Sequence, residues 1–439
     1  MRNDDRPMRI SIITQGCKVN QYESELIIEM LENAGYIVFS GEDQGADVYI
    51  LNSCAVTSEA ERKVRQTLRH LRKLNPESKI ILSGCYVQVP RVQEEYKSLG
   101  VDLVLGNLEK KRILNFLNDF GEYYDLNYWK EDDISFEFVE NSVTERSRAF
   151  VKVEDGCNNG CTYCVIRTLR GTRIRSKPVE VVIKEIEKLV SKKHKEIVIT
   201  GLNLGKYGLD NGSSLANLLS KLTKLNGEFR IRLSSINPED LTDELIEIIK
   251  NEDRICNHLH IPAQSGSSSV LKRMGRNYTA EYFLSRVQKL REFDPVFSIS
   301  TDIMVGFPGE SELEFNETLE FVRQAQFSKV HTFRYSQRPN TAAARFENQV
   351  LGNIKKERAE QLIQHAEHIA NEYRKKLIGK TTLVLVEGIQ NGIAYGYDEY
   401  YLYHECNRGI VGEFSTVKIC SVTKEGVVSK VVQKQVSNE

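Results

Sequence analysis

The chain has 439 residues, 40% of them hydrophobic and 28% charged, with a formal net charge of −1. That length exceeds one ordinary core and suggests about three domains, while the near-neutral balance confines any nucleic-acid-facing basic surface to local patches. No apolar run approaches the roughly 18 residues of a membrane span, and the N-terminus lacks the apolar core of a secretory signal, so a cytoplasmic protein with no membrane contact is expected.

Near the start, 10–14, 47–52 and 79–83 are short apolar or β-branched runs, each followed by a polar or glycine turn. Helical periodicity fills 23–34 and 59–74 between them. Strands alternating with helices predict a parallel sheet, because parallel neighbours need a crossover. Residues 8–118 therefore read as one open α/β domain. Residues 119–140 hold eight acidic side chains against one lysine, and 119–142 read as an acidic linker.

Alternation resumes with strands expected at 149–153, 196–200, 229–235, 257–261, 296–303 and 329–335, and helices at 179–192, 280–293 and 311–324. Six such units fit a full or partial β/α barrel within 143–370, with its chemistry at the C-terminal strand ends. A long helix over 354–377 follows, with Gly379 as its C-cap. Five short strands at 381–386, 393–397, 400–404, 416–421 and 427–432 then predict a small antiparallel, OB-like barrel within 371–439. The fold class is α/β throughout, with this β-barrel appended.

Nine cysteines in a reducing compartment call first for metal ligation. Cys157, Cys161 and Cys164 lie directly after the first barrel strand, and three thiolates at this spacing can hold three irons of a 4Fe–4S cubane, leaving the fourth open. The alternative is a zinc knuckle completed by a distant residue. Cys17, Cys54 and Cys85 each follow one of the three early strands, and those strand ends form one edge of an open parallel sheet. Three unrelated buried thiols are the alternative there. Cys256, Cys406 and Cys420 share no spacing and suit core packing.

Two basic groups stand out. Arg62, Arg65, Arg69 and Arg72 recur at helical spacing and suit either phosphate contact or a solvated helix face. Arg167, Arg170, Arg173, Arg175 and Lys177 follow the cysteine motif with no acid between them, which favours an anionic substrate or cofactor group. Arg338 is a further candidate at a strand end. His258 and His260 alternate along one strand and suit a core or pocket wall, and Asp302 suits a local pair.

The spacing Cys-x3-Cys-x2-Cys with Tyr163 before the last cysteine resembles the radical-SAM (S-adenosylmethionine) superfamily. The segments 15–21, 52–54 and 83–85 around the first triad resemble the amino-terminal domain of methylthiotransferases. The stretches 260–266, 270–276 and 301–310 are similar to others of that family, and the C-terminal barrel resembles a TRAM RNA-binding module. The resemblance spans nearly the whole chain. It implies two 4Fe–4S clusters, one on Cys157, Cys161 and Cys164 binding SAM, and an auxiliary one on Cys17, Cys54 and Cys85 presenting sulfur. It also implies a tRNA substrate and an external flavodoxin- or ferredoxin-like electron donor.

Gly-Cys-Lys-Val-Asn-Gln at 16–21 is most similar to the branch that methylthiolates N6-threonylcarbamoyladenosine at position 37 of tRNA. Sister branches act on isopentenyladenosine or on an aspartate of a ribosomal protein. The resemblance places SAM contacts at Gly201, Asn203 and Gly205. Gly306 and Gly309 suit either close approach of a ligand or a tight strand-to-helix turn. One departure is Arg167, where the family commonly has proline, a change to the pocket wall that bears on substrate choice.

Overall fold

The computed structural model describes residues 6–89, 91–92, 96–107, 109–117 and 147–432; the expected acidic linker lies outside the described residues. Five parallel strands build the N-terminal sheet: β1 (Arg9–Thr14), β2 (Ile37–Ser40), β3 (Val48–Ser53), β4 (Lys79–Gly84) and β5 (Leu103–Leu105), in the order β2-β1-β3-β4-β5. Central β3 is buried at every position, as a strand covered on both faces must be. Edge strands β2 and β5 are too short to show a period in the sequence. Helix α1 (Lys18–Asn33) begins directly after Cys17, ahead of the expected 23–34 run. Helix α2 (Ser58–Leu74) is capped by the Thr57 hydroxyl, which accepts from the Ala60 amide at 3.1 Å, and it buries Val64, Leu68 and Leu71.

The central unit has six parallel strands in chain order: β6 (Arg148–Asp155), β8 (Glu196–Gly201), β9 (Arg230–Leu233), β10 (His258–His260), β11 (Ser298–Val305) and β12 (Lys329–Arg334). The two-residue β7 (Arg175–Ser176) pairs antiparallel to β6. Bridges Ile231↔Ile255 and Ser235↔His260 join the two halves into an incomplete barrel. Val151, Ile197, Ile231, Leu259 and Ile299 are all fully buried in its core.

The long helix runs Gly352–Lys375 and stops before Gly379, which corrects the expected C-cap. Gly379 instead opens the last unit, donating its amide to the Ile419 carbonyl at 2.9 Å. That unit is a closed barrel of β13 (Thr381–Gln390), β14 (Ile393–Tyr397), β15 (Tyr403–Cys406), β16 (Phe414–Val422) and β17 (Val427–Val431), ordered β13-β14-β15-β17-β16. It is not wholly antiparallel, since β15 and β17 run parallel. The strand expected at 400–404 starts later, because the Asp398 carboxylate accepts from the Tyr400 and Leu402 amides at 3.0 and 2.9 Å and holds a turn there.

This barrel docks on the N-terminal strand ends of the central unit. Arg230 donates to the Leu383 carbonyl at 2.6 Å and Arg232 to the Asp398 carbonyl at 2.8 Å, while both pair with the fully buried Glu196. Arg148 joins them through Glu387 at 2.6 Å. The opposite, C-terminal strand ends stay free for the site. No described helix is long and apolar enough to cross a membrane.

Candidate active site

Cys17 caps α1 after β1, Cys54 follows β3, and Cys85 follows β4, so the parallel topology delivers all three to one sheet edge. At Gly84, with φ of +93°, a Cβ would collide with the Ser53 carbonyl, so only glycine lets β4 turn sharply into Cys85. The thiols sense one another: burial pushes the Cys54 thiol up to about 11, with charge on Cys85 and Cys17 adding to the rise. Cys17 is raised for the same first reason, then by Cys85.

Cys157, Cys161 and Cys164 sit in the loop after β6, which Gly156 turns at φ of +96° against the Arg173 carbonyl. Burial pushes Cys164 up to about 12, and its two companions add to it. All three line a cavity of about 340 Å³ at the C-terminal strand ends. Val56 and Thr57, just past Cys54, line the same cavity, so the chain that follows the first triad reaches its wall.

Three thiolates per site are the donor set of a cubane with one open iron. Among the described residues, His260, Asp302 and His331 are the one set of three His, Cys, Asp or Glu side chains whose ligand atoms all lie within 4.8 Å of one another.

Each triad receives one guanidinium. Arg170 Nε donates to Cys85 Sγ at 3.3 Å, and Arg276 Nη1 donates to Cys161 Sγ at 3.3 Å. Arg170 crosses between units: it is buried and grips Glu23 of α1 through Nη1 at 2.6 Å and Nη2 at 3.0 Å. Lys110 and Lys152 also pair with Glu23, whose carboxyl these cations hold well below the usual range against the opposing effect of burial. Arg276 Nη2 donates to Asn237 Oδ1 at 2.7 Å, and Asn237 Nδ2 to Asn203 Oδ1 at 2.8 Å.

Arg338 Nε lacks a partner on the cavity wall, and Glu154 Oε1 and Asn203 Nδ2 lack theirs next to the lining residues Leu202 and Asn237. An orphan acceptor and an orphan donor suit the amino and carboxylate groups of an amino acid such as the methionyl end of SAM. Gly201 and Gly205 approach Glu154 and Asp240 closely. The Gly306 amide is engaged by Glu310 at 2.7 Å and the Gly309 amide by the Asn348 carbonyl at 2.9 Å, the arrangement of a strand-to-helix turn. His258 Nε2 and His260 Nδ1 share the Ser300 hydroxyl at 2.9 and 3.0 Å, and His260 Nε2 faces Asp302 Oδ2 at 3.3 Å, fixing Asp302 on the cavity wall.

The basic candidates separate. Arg167 and Arg173 are exposed. Arg338 lines the cavity, yet its guanidinium is committed to Glu61 and to the Ala55 carbonyl. Glu23 was invisible to the sequence reading, which started α1 at that residue. Its one signal was an acid among Val19, Tyr22, Leu26 and Ile27 on a largely apolar face.

Two family models match the chain: the radical SAM superfamily over residues 151–322 and uncharacterized protein family UPF0004 over 9–106. The chain is 50% identical to the threonylcarbamoyladenosine tRNA methylthiotransferase MtaB of Thermotoga maritima, over 96% of each. It is 38% identical to the Bacillus subtilis protein of the same description, over 98% of each. A tRNA-2-methylthio-N(6)-dimethylallyladenosine synthase of Desulfitobacterium hafniense is 38% identical over 87% of each. Among solved structures, the radical SAM methyltransferase TsrM of Kitasatospora setae aligns with a TM-score of 0.56 at 12% identity, covering 89% of this chain and 81% of that one, a likeness of fold alone.

Proposed function

The chain belongs to the radical-SAM tRNA methylthiotransferases, and from that membership we propose that it adds a methylthio group to C2 of N6-threonylcarbamoyladenosine at position 37 of tRNA. The observation that carries this reading is a pair of cysteine triads at strand ends, each with its own guanidinium donor, tied together by Arg170, which reaches from just after Cys164 to Cys85. Two 4Fe–4S clusters and SAM supply the one-electron chemistry and the transferable sulfur and methyl group that acid–base side chains lack at an aromatic C–H bond.

The chain's own residues do the rest. Cys157, Cys161 and Cys164 would hold the SAM-binding cluster at the cavity, and Cys17, Cys54 and Cys85 would hold the auxiliary one. Glu154 Oε1 accepts from the amine of SAM and Asn203 Nδ2 donates to its carboxylate, with Gly201 and Gly205 keeping that wall close. Arg170 and Arg276 are positioning residues, each offering a charged donor to one ligating sulfur, where hydrogen bonds tune a cluster. Exposed Arg167 and Arg173 offer phosphate contacts beside the cavity mouth. Residues 8–118 act as the auxiliary-cluster unit, 143–370 as the radical-SAM core and 371–439 as an RNA-binding unit. A flavodoxin- or ferredoxin-like protein of the cytoplasm serves as electron donor.

Mass analysis of tRNA nucleosides tests the reading. A strain lacking the gene should lose 2-methylthio-N6-threonylcarbamoyladenosine, accumulate its unthiolated precursor, and recover on complementation. Nucleosides unchanged by the deletion end the proposal.

A further inference from the structure

We propose that Arg334 binds the carboxylate of the substrate's threonylcarbamoyl group and so selects this nucleoside over those whose N6 substituent is apolar. The inference rests on the reading of threonylcarbamoyladenosine as substrate, and it names the residue that would recognise its distinguishing feature.

That feature is one negative charge. A threonylcarbamoyl group ends in a carboxylate, whereas a dimethylallyl group carries none. Bringing a carboxylate into a part-enclosed cavity is unfavourable unless a cation meets it. Three arginines line the cavity: Arg276, Arg334 and Arg338. Arg276 is engaged by Cys161, Asn237 and Tyr278. Arg338 is engaged through Nη2 by Glu61 and the Ala55 carbonyl, which hold its charge in a buried ion pair, though its Nε has no partner. The exposed Arg334 side chain, at the end of β12, has no hydrogen bond and no ion pair among the described residues, its charge acting only through space, as in a coulombic pull on Glu59.

Its surroundings complete the case. Phe333, 44% exposed, lines the same cavity beside it and offers a face on which a base can stack. An aromatic ring next to an unspent guanidinium suits a nucleobase with an anionic tail, because the fork of arginine matches a carboxylate with two parallel hydrogen bonds. The charge of Arg334 is felt nearby: after burial, it is what depresses the Lys355 ammonium. A negative group arriving here would relieve that repulsion.

The test compares anticodon stem-loop RNAs that differ only at one base, carrying either threonylcarbamoyladenosine or plain adenosine, bound to anaerobically reconstituted full-length protein. Wild type should prefer the modified RNA by about ten- to a hundred-fold, the range of a charge-assisted hydrogen bond. Arg334→Gln should bring that ratio close to one, and Arg334→Lys should restore part of it. A second arm alters the RNA instead: converting the threonyl carboxylate to its methyl ester should erase the preference of wild type. A ratio unmoved in Arg334→Gln, or an ester bound as well as the acid, overturns the role of Arg334 while leaving the substrate reading intact. Wild type that shows no preference and instead methylthiolates dimethylallyladenosine RNA overturns the substrate reading, and the proposal with it.

Discussion

Arg170 follows Cys164 closely in the chain, yet its Nε meets the sulfur of Cys85 in the other unit at 3.3 Å. Replacing it with methionine keeps the volume and removes the donor and the charge. With Cys157, Cys161 and Cys164 changed to alanine so that only the auxiliary cluster remains, Arg170→Met should lower that cluster's reduction potential, read by EPR at poised potentials. Arg170→Lys should lower it less. Glu154 offers a pH test. Burial raises its carboxyl from 4.5 to about 8, so between those values the folded chain keeps a proton that the unfolded chain has released. Its favourable share of stability is thus complete below pH about 4.5 and is lost as pH rises through about 8. Glu154→Gln cannot ionise, and the melting temperature of the cofactor-free variant should gain on wild type steadily across that window. At this scale the six cysteines were legible, because each directly follows a strand or stands in a fixed local spacing. Arg170 was legible only as a basic residue. Its partners Cys85 and Glu23 are distant in sequence, and no local pattern encodes which anion a guanidinium will find.

At the scale of elements, the strands of both parallel sheets announce themselves as apolar runs, and the turns after them carry the chemistry. What stayed hidden was set by tertiary contact: the edge strands β2 and β5, and the Asp398 turn that delays β15. Helix α1 is the element on which the interface between units turns. Its Glu23 answers Arg170, Lys110 and Lys152, three cations inside protein. Glu23→Gln leaves Lys110 without its carboxylate, while Arg170 and Lys152 keep only Asp155, and breaking a buried pair in this way costs about 3–5 kcal/mol. The variant should melt well below wild type in a thermal scan. Salt should rescue little of the loss, because the site is screened from solvent.

At the scale of the whole molecule, the closed barrel docks on one end of the central unit and the cysteine loops stand at the other, where Arg170 ties the second triad's loop to the first triad. The division of labour between them predicts a split. Alanine at Cys17, Cys54 or Cys85 should abolish methylthiolated product while cleavage of SAM to 5′-deoxyadenosine continues. Alanine at Cys157, Cys161 or Cys164 should abolish both, as product analysis of anaerobic assays will read. The reach of Arg170 into the first unit also imposes an order in time. A ribosome makes the first three thiols before it makes the arginine that faces Cys85, so a nascent chain, or any fragment truncated before residue 170, has a triad still missing that guanidinium. The native setting of the first triad is finished only when the central unit folds against it and supplies Arg170.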